Sequence, residues 1–452
     1  MRGSILIKNG LLVTMDENKR IFRGDLYIED GVLLEVGTQR TYADQVIQAD
    51  GRIVMPGFIQ THIHLCQVLF RGLADDVDVV DWLKQRIWPF ESAHDEQSIH
   101  ASADLGIAEL IAGGTTTALS METTRHTDGV FSSAMENGFR LIAGNAMMDT
   151  TEPGTEMQGL STEESMAESK RLYRQWHGQG GGTIQYAVMP RGARNCSPRL
   201  VEMARRFAEE NGLLVHTHVS ENGPLSARLV RETGMSDMEL LESQQVANER
   251  LVIAHGIWLS DHDREIVRRR GVKIAHCPSA NMKLASGFCK APEMAADGVC
   301  ISLGADGAPC NNNLDMLNEM RLASLIHKPR CGPKSMNAYQ ILEMATINGA
   351  RCLGMDDKIG SLTPGKLADV ILLDRNGLHS SPDQGVPVDS QIVYSLRSSD
   401  VDTTIIGGKI LYLHKQFTNI DMNKVLATAQ KQARRALESV QFGKSLLANL
   451  PY

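Results

Sequence analysis

The sequence predicts an α/β fold: a (β/α)8 barrel of the TIM type, joined to a small β-sandwich domain formed from both chain ends. Three observations predict it. Eight strand-like runs alternate with helical stretches through the middle of the chain. Short, turn-punctuated strands occur near both termini. Four of the central runs end in His, Asp or a His-x-His pair, and the C-terminal strand ends are where such barrels gather their chemistry. At 452 residues the chain exceeds one ordinary domain and suits a barrel of about 250 residues with an accessory domain.

Taken in order, Ile5–Val13 and Asp25–Val36 read as the opening strands, with Glu29-Asp30-Gly31 as a hairpin turn. The eight central strands fall at Ile53–His64, Thr115–Met121, Leu141–Met147, Thr183–Val188, Leu213–Val219, Leu251–Ala254, Val272–Ala275 and Cys300–Ala305. Helical spacing lies between them, as in Gln97–Ala112, Pro198–Asn211 and Asp261–Arg270. The run Leu65–Ala93 is rich in Trp and acid and reads as a lid and substrate loop. Gly178–Gly182 precedes a strand, whereas a phosphate loop opens a helix, so it reads as a plain flexible loop. Gly365–Leu373 is a further strand, and Val401–Tyr412 a further hairpin. From Asp421 the pattern is helical, with Asp421 as the cap and Val425, Ala429, Ala433, Leu437 and Val440 near one face. The expected division is 1–55 with 360–420 as the split β-domain, 56–359 as the barrel and 421–452 as a helical tail.

Composition narrows the class. A hydrophobic content of 42% supports a sizeable core. Net charge is −8, pI is about 6.0 and there is no basic run, which argues against a nucleic-acid partner. Eight scattered cysteines without a C-x-x-C pair argue against disulfides, and Cys66, Cys277 and Cys310 read as reduced thiols near strand ends. Neither a cleavable leader nor an 18-residue apolar run is found, so a cytoplasmic protein without a membrane partner is expected.

The chemistry concentrates at the strand ends. A strand has period two, so His62 and His64 share a face and can grip one cation. His218 and Asp306 complete a set that leaves room for water. Imidazole and carboxylate suit one divalent metal, zinc first and iron second, and an open position marks a catalytic site. A bound cation lowers the pKa of its water toward ~7. Asp306 is placed to accept that proton, Glu221 to pass one to a ring nitrogen, and His255 to hydrogen-bond the attacking water and the developing oxyanion. His216 is read as a structural side chain turned away from His218, and His276 is left without a firm role.

With these residues in view, the chain resembles the amidohydrolase superfamily through Pro56-Gly57-Phe58-Ile59-Gln60-Thr61-His62-Ile63-His64 and the later His, His and Asp. The resemblance spans essentially the whole chain. No lysine ends the fourth strand, and His218-Val219-Ser220-Glu221 is similar to the His-x-x-Glu of the mononuclear deaminase branch. Arg71–Asp76, Asp81-Trp82-Leu83, Pro89-Phe90-Glu91, Asp306-Gly307-Ala308 and Asn313-Leu314-Asp315-Met316 resemble the S-adenosylhomocysteine, methylthioadenosine and 5′-deoxyadenosine deaminases. Pro190-Arg191, Ser220-Glu221-Asn222, Ile274–Pro278 and Ser286-Gly287-Phe288 are closer to guanine deaminases. The first set covers more of the substrate-facing loops. It implies hydrolytic deamination of a purine nucleoside, with a guanine-type free base, a pterin or an s-triazine as the alternative substrate. It implies that Trp82 lies on the substrate ring and that Glu91 binds a ribose diol. Arg191 stands where adenosine-type enzymes carry a histidine, and Cys310 is counted with Trp82, Glu91 and Arg191 as a substrate contact. The arginines that homocysteine-handling relatives place near the third strand are missing, which implies an uncharged substrate unless Arg125 or Arg194 reaches in. A homo-oligomer is a family expectation. A catalytically silent member of the same fold is the competing class, and the full ligand set speaks against it.

Overall fold

The computed structural model describes residues 3–150 and 159–448, so positions 449–452 of the expected helical tail lie outside the described residues. The chain opens with β1 (Ser4–Val13), β2 (Ile21–Glu29), β3 (Val32–Val36), β4 (Gln45–Gln48) and β5 (Arg52–Pro56). Through the middle run β6 (Phe58–His64), β7 (Thr115–Glu122), β8 (Arg140–Met147), β9 (Ile184–Tyr186), β10 (Met189–Pro190), β11 (Val215–Val219), β12 (Leu251–His255), β13 (Lys273–His276), β14 (Ile301–Leu303) and β15 (Asp306–Gly307). The last strands are β16 (Val370–Asp374), β17 (Val401–Ile406), β18 (Lys409–Leu413) and β19 (Gln416–Phe417).

Both chain ends build one nine-stranded sheet, ordered β19-β18-β17-β16-β5-β1-β2-β3 with β4 on β1. Its seam is the antiparallel pair β5 and β16, from Pro56 opposite Val370 to Arg52 opposite Asp374. The β2–β3 turn forms because Asp30 and Gly31 take φ of 51° and 86°, the pair of positive angles a two-residue hairpin requires. Ile5, Ile7, Leu26, Ile28, Val54, Val370, Leu372 and Ile405 bury the inner face. Arg140, at the start of β8, bonds Asp369 through two nitrogens at 2.9 and 3.0 Å, with both side chains buried. Asp369 also accepts the Gly407 N–H at 2.7 Å, so this ion pair ties the terminal sheet to the central strands.

The central strands are parallel and fall into two sheets: β10-β8-β7-β6-β15 with β9 on β8, and β11-β12-β13-β14. Single bridges, Val188 to Val215 and Gly192 to His218, connect the first to the second. On the other side β14 lies beside β6, where the Thr61 hydroxyl meets Ser302 at 2.6 Å and donates to Leu303 O at 3.1 Å. Gln60 adds a buried clamp, accepting from Ala305 N at 3.1 Å and donating to Leu314 O at 2.7 Å.

Three expected strands differ. Ile53–His64 is two strands, because at Gly57 the backbone exchanges partners: Gly57 N bonds Asp369 O and Phe58 N bonds Gly114 O. Thr183–Val188 shortens to β9, with β10 following beyond Val188, because Val188 turns its N–H to Leu214 O of the next strand. Cys300–Ala305 stops at Leu303 and resumes as β15, since the Gln60 side chain takes the Ala305 N–H. The helices Pro198–Asn211 and Asp261–Arg270 form where helical spacing placed them, and the third expected helix is Glu96–Ala112. Asp421 caps the helix Met422–Ser439 by accepting the Lys424 N–H, and Ala429, Ala436 and Val440 pack against Leu69, Phe70 and Phe90. Among the described residues no helix is long and apolar enough to cross a membrane.

Candidate metal and catalytic site

Four imidazoles converge at the C-terminal ends of β6, β11 and β12, and a hydrogen bond at Nδ1 aims each of them. His64 Nδ1 meets Met121 O at 2.7 Å, His218 Nδ1 meets Arg191 O at 2.7 Å, and His255 Nδ1 meets Asn281 Oδ1 at 2.9 Å. His62 Nδ1 lies 2.8 Å from His216 Nε2, while His216 Nδ1 lies 2.8 Å from Val252 O. A carbonyl accepts, so the neutral His216 carries its proton on Nδ1 and presents a lone pair to His62. His62 is thereby protonated on Nδ1, and its Nε2 lone pair points inward. The same logic turns the Nε2 lone pairs of His64 and His218 inward. This corrects the orientation expected for His216. Period two puts it on the same face as His218, and both rings lie against His62.

Asp306 faces these nitrogens from β15. Its Oδ1 is 3.4 Å from His62 Nε2 and 3.3 Å from His64 Nε2, and its Oδ2 is 3.8 Å from His255 Nε2. His62 Nε2 is fully buried and has no hydrogen-bond partner. Lone pairs and a carboxylate at these separations repel unless a cation lies among them. Ligand atoms of His62, His64 and His218, and of His62, His255 and Asp306, form two groups whose members all lie within 4.8 Å of one another. Burial pulls His62 down to about 4 and His218 well below its ordinary value, keeping both neutral as ligands must be. Burial opposes charge on His64, but the Asp306 carboxylate outweighs it and raises His64. Burial likewise opposes ionisation of Asp306. Without a metal, where a proton on a ring nitrogen takes the cation's place, hydrogen bonds from the His62 and His64 rings outweigh burial and hold that carboxyl well below the usual range. The donor set therefore fits a divalent metal; His62, His64, His218 and Asp306 are residues that could hold it, with second partners already in place on the histidines.

Backbone strain marks the same place. Ser220, His255 and Asp306 have φ of 47°, 70° and 63°. Each costs of order 1–3 kcal/mol for a non-glycine residue and persists only where the surroundings over-determine it. The approach of β14 to β6 is also tight. A Cβ at Gly304 would lie 2.5 Å from His62 O and 2.9 Å from His62 N. Gly304→Ala is expected to push the two strands apart and destabilise by about 1–3 kcal/mol, the usual cost of overpacking. Thermal unfolding of the metal-free protein checks this, and a Tm within a degree of the parent would refute the tight fit.

One cavity opens onto this cluster. His64, Gln67, Trp82, Leu83, Trp88 and Arg191 line one side; His218, Glu221, Asn222, Leu225, His255 and Asp306 line the other. Glu221 Oε2 is 4.0 Å from His255 Nε2, and burial raises its carboxyl above the ordinary value, His255 drawing it partly back. Trp82 comes from the helix Val79–Trp82 and Trp88 from Trp88–Ser92, joined by a π-turn over Leu83–Ile87. The run expected to be a lid thus supplies one wall.

Glu91 and Cys310 are placed differently. Glu91 is buried and does not line the cavity; Arg191 grips it with two nitrogens at 2.8 and 3.2 Å, and Gln67 donates to it at 2.8 Å. Burial works against its ionisation, and the Arg191 charge outweighs burial and holds its carboxyl below the ordinary value. Cys310 lies behind the wall beside Trp82 in a buried apolar cluster, its thiol on Gly307 O at 3.0 Å. Arg125 lines a different cleft, whereas Arg194 lines the cavity, 3.9 Å from Glu232. Gln67, Asn281 and the role of His216 were missed in the sequence. Gln67 falls three residues after His64, and Asn281 three after Pro278, so both followed directly on motifs already singled out.

Strand-end imidazoles, an inward carboxylate and a neighbouring glutamate surround one cavity, a donor set that fits a divalent metal beside an acid–base carboxyl. Comparisons with known proteins make it the site of a hydrolytic aminohydrolase. The amidohydrolase family pattern matches residues 53–411. A 5′-deoxyadenosine deaminase of Methanobrevibacter smithii is 36% identical over 442 residues, covering 97% of this chain and 98% of its own. A 5-methylthioadenosine/S-adenosylhomocysteine deaminase of Thermococcus onnurineus is 39% identical over 415 residues, covering 91% and 95%. The crystal structure of a zinc-bound adenosine deaminase from Xanthomonas campestris superposes with a TM-score of 0.90 at 28% identity, covering 96% of this chain and 99% of its own. An Escherichia coli guanine deaminase superposes at 0.81 with 26% identity, covering 91% and 99%. The chain belongs to the amidohydrolase family.

Proposed function

We propose that this protein hydrolytically deaminates a purine nucleoside of the 5′-deoxyadenosine and methylthioadenosine class, releasing ammonia. The observation that carries the reading is the convergence of His62, His64, His218, His255, Asp306 and Glu221 on one cavity. In this reading the central strands close as a (β/α)8 barrel over 56–359, the ends form the β-sandwich of 1–55 with 360–420, and 421–452 is a helical tail. His62, His64, His218 and Asp306 hold one metal, zinc first and iron second. When bound, the metal lowers the pKa of water toward ~7 and supplies the nucleophile at neutral pH. Asp306 takes the proton of the attacking water. Glu221 donates a proton to the ring nitrogen beside the carbon under attack, which makes that carbon electrophilic. His255 holds the incoming oxygen and stabilises its charge as the tetrahedral adduct forms. Proton return to the exocyclic nitrogen lets ammonia leave. Trp82 covers the ring from the lid.

A second reading, a guanine-type free base, is favoured by one observation: the Glu91 carboxylate, placed by family resemblance on a ribose diol, is already gripped by Arg191. A substrate panel decides between them. It comprises 5′-deoxyadenosine, methylthioadenosine, adenosine, S-adenosylhomocysteine, guanine, 8-oxoguanine, isoxanthopterin and melamine-type triazines, assayed by ammonia release. The expected order puts 5′-deoxyadenosine above S-adenosylhomocysteine in kcat/KM. If Glu91 leaves Arg191 to read a ribose diol, Glu91→Ala is expected to weaken nucleosides by about 1.5–3 kcal/mol, the value of a hydrogen bond to a charged group, and to change guanine turnover little. If a free base is turned over instead, Arg191→Ala is the damaging change. A preference for S-adenosylhomocysteine that Arg194→Ala removes would assign its charged tail to Arg194.

A further inference from the structure

His255 and Asp306 come from different strands, β12 and β15, and one buried carboxylate joins the segments that support them. Glu319 lies in the first turn of the helix Met316–Cys331 and is fully buried. Its Oε2 accepts the Ser279 N–H at 3.1 Å, and its Oε1 accepts Asn311 Nδ2 at 2.9 Å. Ser279 belongs to the helix Pro278–Lys283, which also carries Asn281, the residue 2.9 Å from His255 Nδ1. Asn311 Nδ2 donates in addition to Ala305 O at 2.7 Å, one residue before Asp306. Asp306 needs that support, because its backbone sits at φ of 63°. The two acceptors of one side chain thus clamp the His255 arm and the Asp306 arm together. A buried carboxylate is costly to keep when neutral donors alone hold it, and an apolar residue would pack there without that cost.

We propose that Glu319 is a positioning residue for the hydrolysis, holding Asn281 and Ala305 in the mutual placement that sets His255 Nε2 at 3.8 Å from Asp306 Oδ2. This rests on the reading of His255 and Asp306 as the residues that handle the attacking water. Misplacement by about 1 Å far from the chemistry costs up to about a hundredfold in rate.

Glu319→Gln is the test. The amide is nearly isosteric, but its nitrogen must face one of two donors, so one arm of the clamp is released. In the metal-loaded enzyme kcat is expected to fall at least about tenfold, while KM stays within about twofold and metal content is unchanged. Asn281→Ala also lowers kcat, and the losses in the double variant are less than multiplicative where the amide releases the Ser279 arm, since both changes then act through His255. The cobalt-substituted protein gives a readout that needs no substrate: the visible absorption bands shift in Glu319→Gln because the Asp306 carboxylate moves. Unchanged kcat with an unchanged cobalt spectrum, or strictly multiplicative losses in the double variant with an unchanged cobalt spectrum, overturns the proposal. If Glu319→Gln does not accumulate in folded form, Asn311→Ala, which cuts the Asp306 arm, is held to the same kcat and cobalt criteria. A wild-type protein that releases no ammonia from any purine would sink the purine reading while leaving the cobalt comparison to judge Glu319.

Discussion

Glu221→Gln is expected to lower kcat by ~10²–10⁴, the range of general acid–base catalysis, while the metal stays bound. The reason is geometric. Glu221 lines the cavity beside His218 on the strand-end turn, and its carboxyl oxygen lies 4.0 Å from His255 Nε2. Its ordinary role would be a solvated loop carboxylate, but only 22% of its side chain is exposed. Burial raises its carboxyl above the ordinary value, which favours the protonated form a donor to a ring nitrogen needs. The amide keeps the shape and loses the proton. Because Glu221 is outside the set whose nitrogens and oxygen face one another around His62, metal content in the variant should equal that of the parent. Single-turnover ammonia release with metal analysis on the same sample makes the measurement. A variant that kept more than about a tenth of the rate, against the ~10²–10⁴ at stake, would assign the proton transfer to another residue.

The second large effect is loss of the metal. One metal per chain is expected by elemental analysis, and His64→Ala should abolish both tight binding and turnover. Without the metal, the pKa of water returns from ~7 to 15.7, and the nucleophile all but disappears at neutral pH. Chelation of the parent should give the same inactive state, restored by zinc or ferrous iron; which ion restores more decides between the two. His216→Ala gives an intermediate outcome. Its Nε2 receives the His62 Nδ1 proton at 2.8 Å, and losing such a partner typically costs 10–100-fold in metal affinity. Acid should also release the metal, because His62 and His218 must be unprotonated to bind. Two tightly held metals per chain, or full activity in chelated His64→Ala, would overturn this assignment.

Much of this protein is written locally in its sequence. The His62/His64 pair follows from period two within three residues, the β2–β3 turn from Asp30-Gly31, and the last long helix from the Asp421 cap and its apolar spacing. Such features depend on neighbours along the chain, so a short window contains their whole physical cause. The alternation of strand and helix along the chain is likewise legible, and it places His62, His218, His255 and Asp306 at strand ends. Pairings between distant side chains are another matter. Glu91 and Arg191 are 100 residues apart, and the chemical types alone offer a diol reader and a rim cation; only packing turns them into one buried ion pair. Period two already puts His216 on the face of His218, but only packing gives it its partner, His62, 154 positions away. Gln60 broke the eighth strand through a clamp spanning 245 positions. Asn281 and Glu319 are ordinary polar residues in any local reading, and they acquire a role only where β12, the helix Pro278–Lys283 and β15 meet. Periodicity decides which face a side chain takes, but a hydrogen-bonding group has many possible partners along 452 residues. The fold selects among them by burying some together, where an unmade hydrogen bond costs about 1–3 kcal/mol.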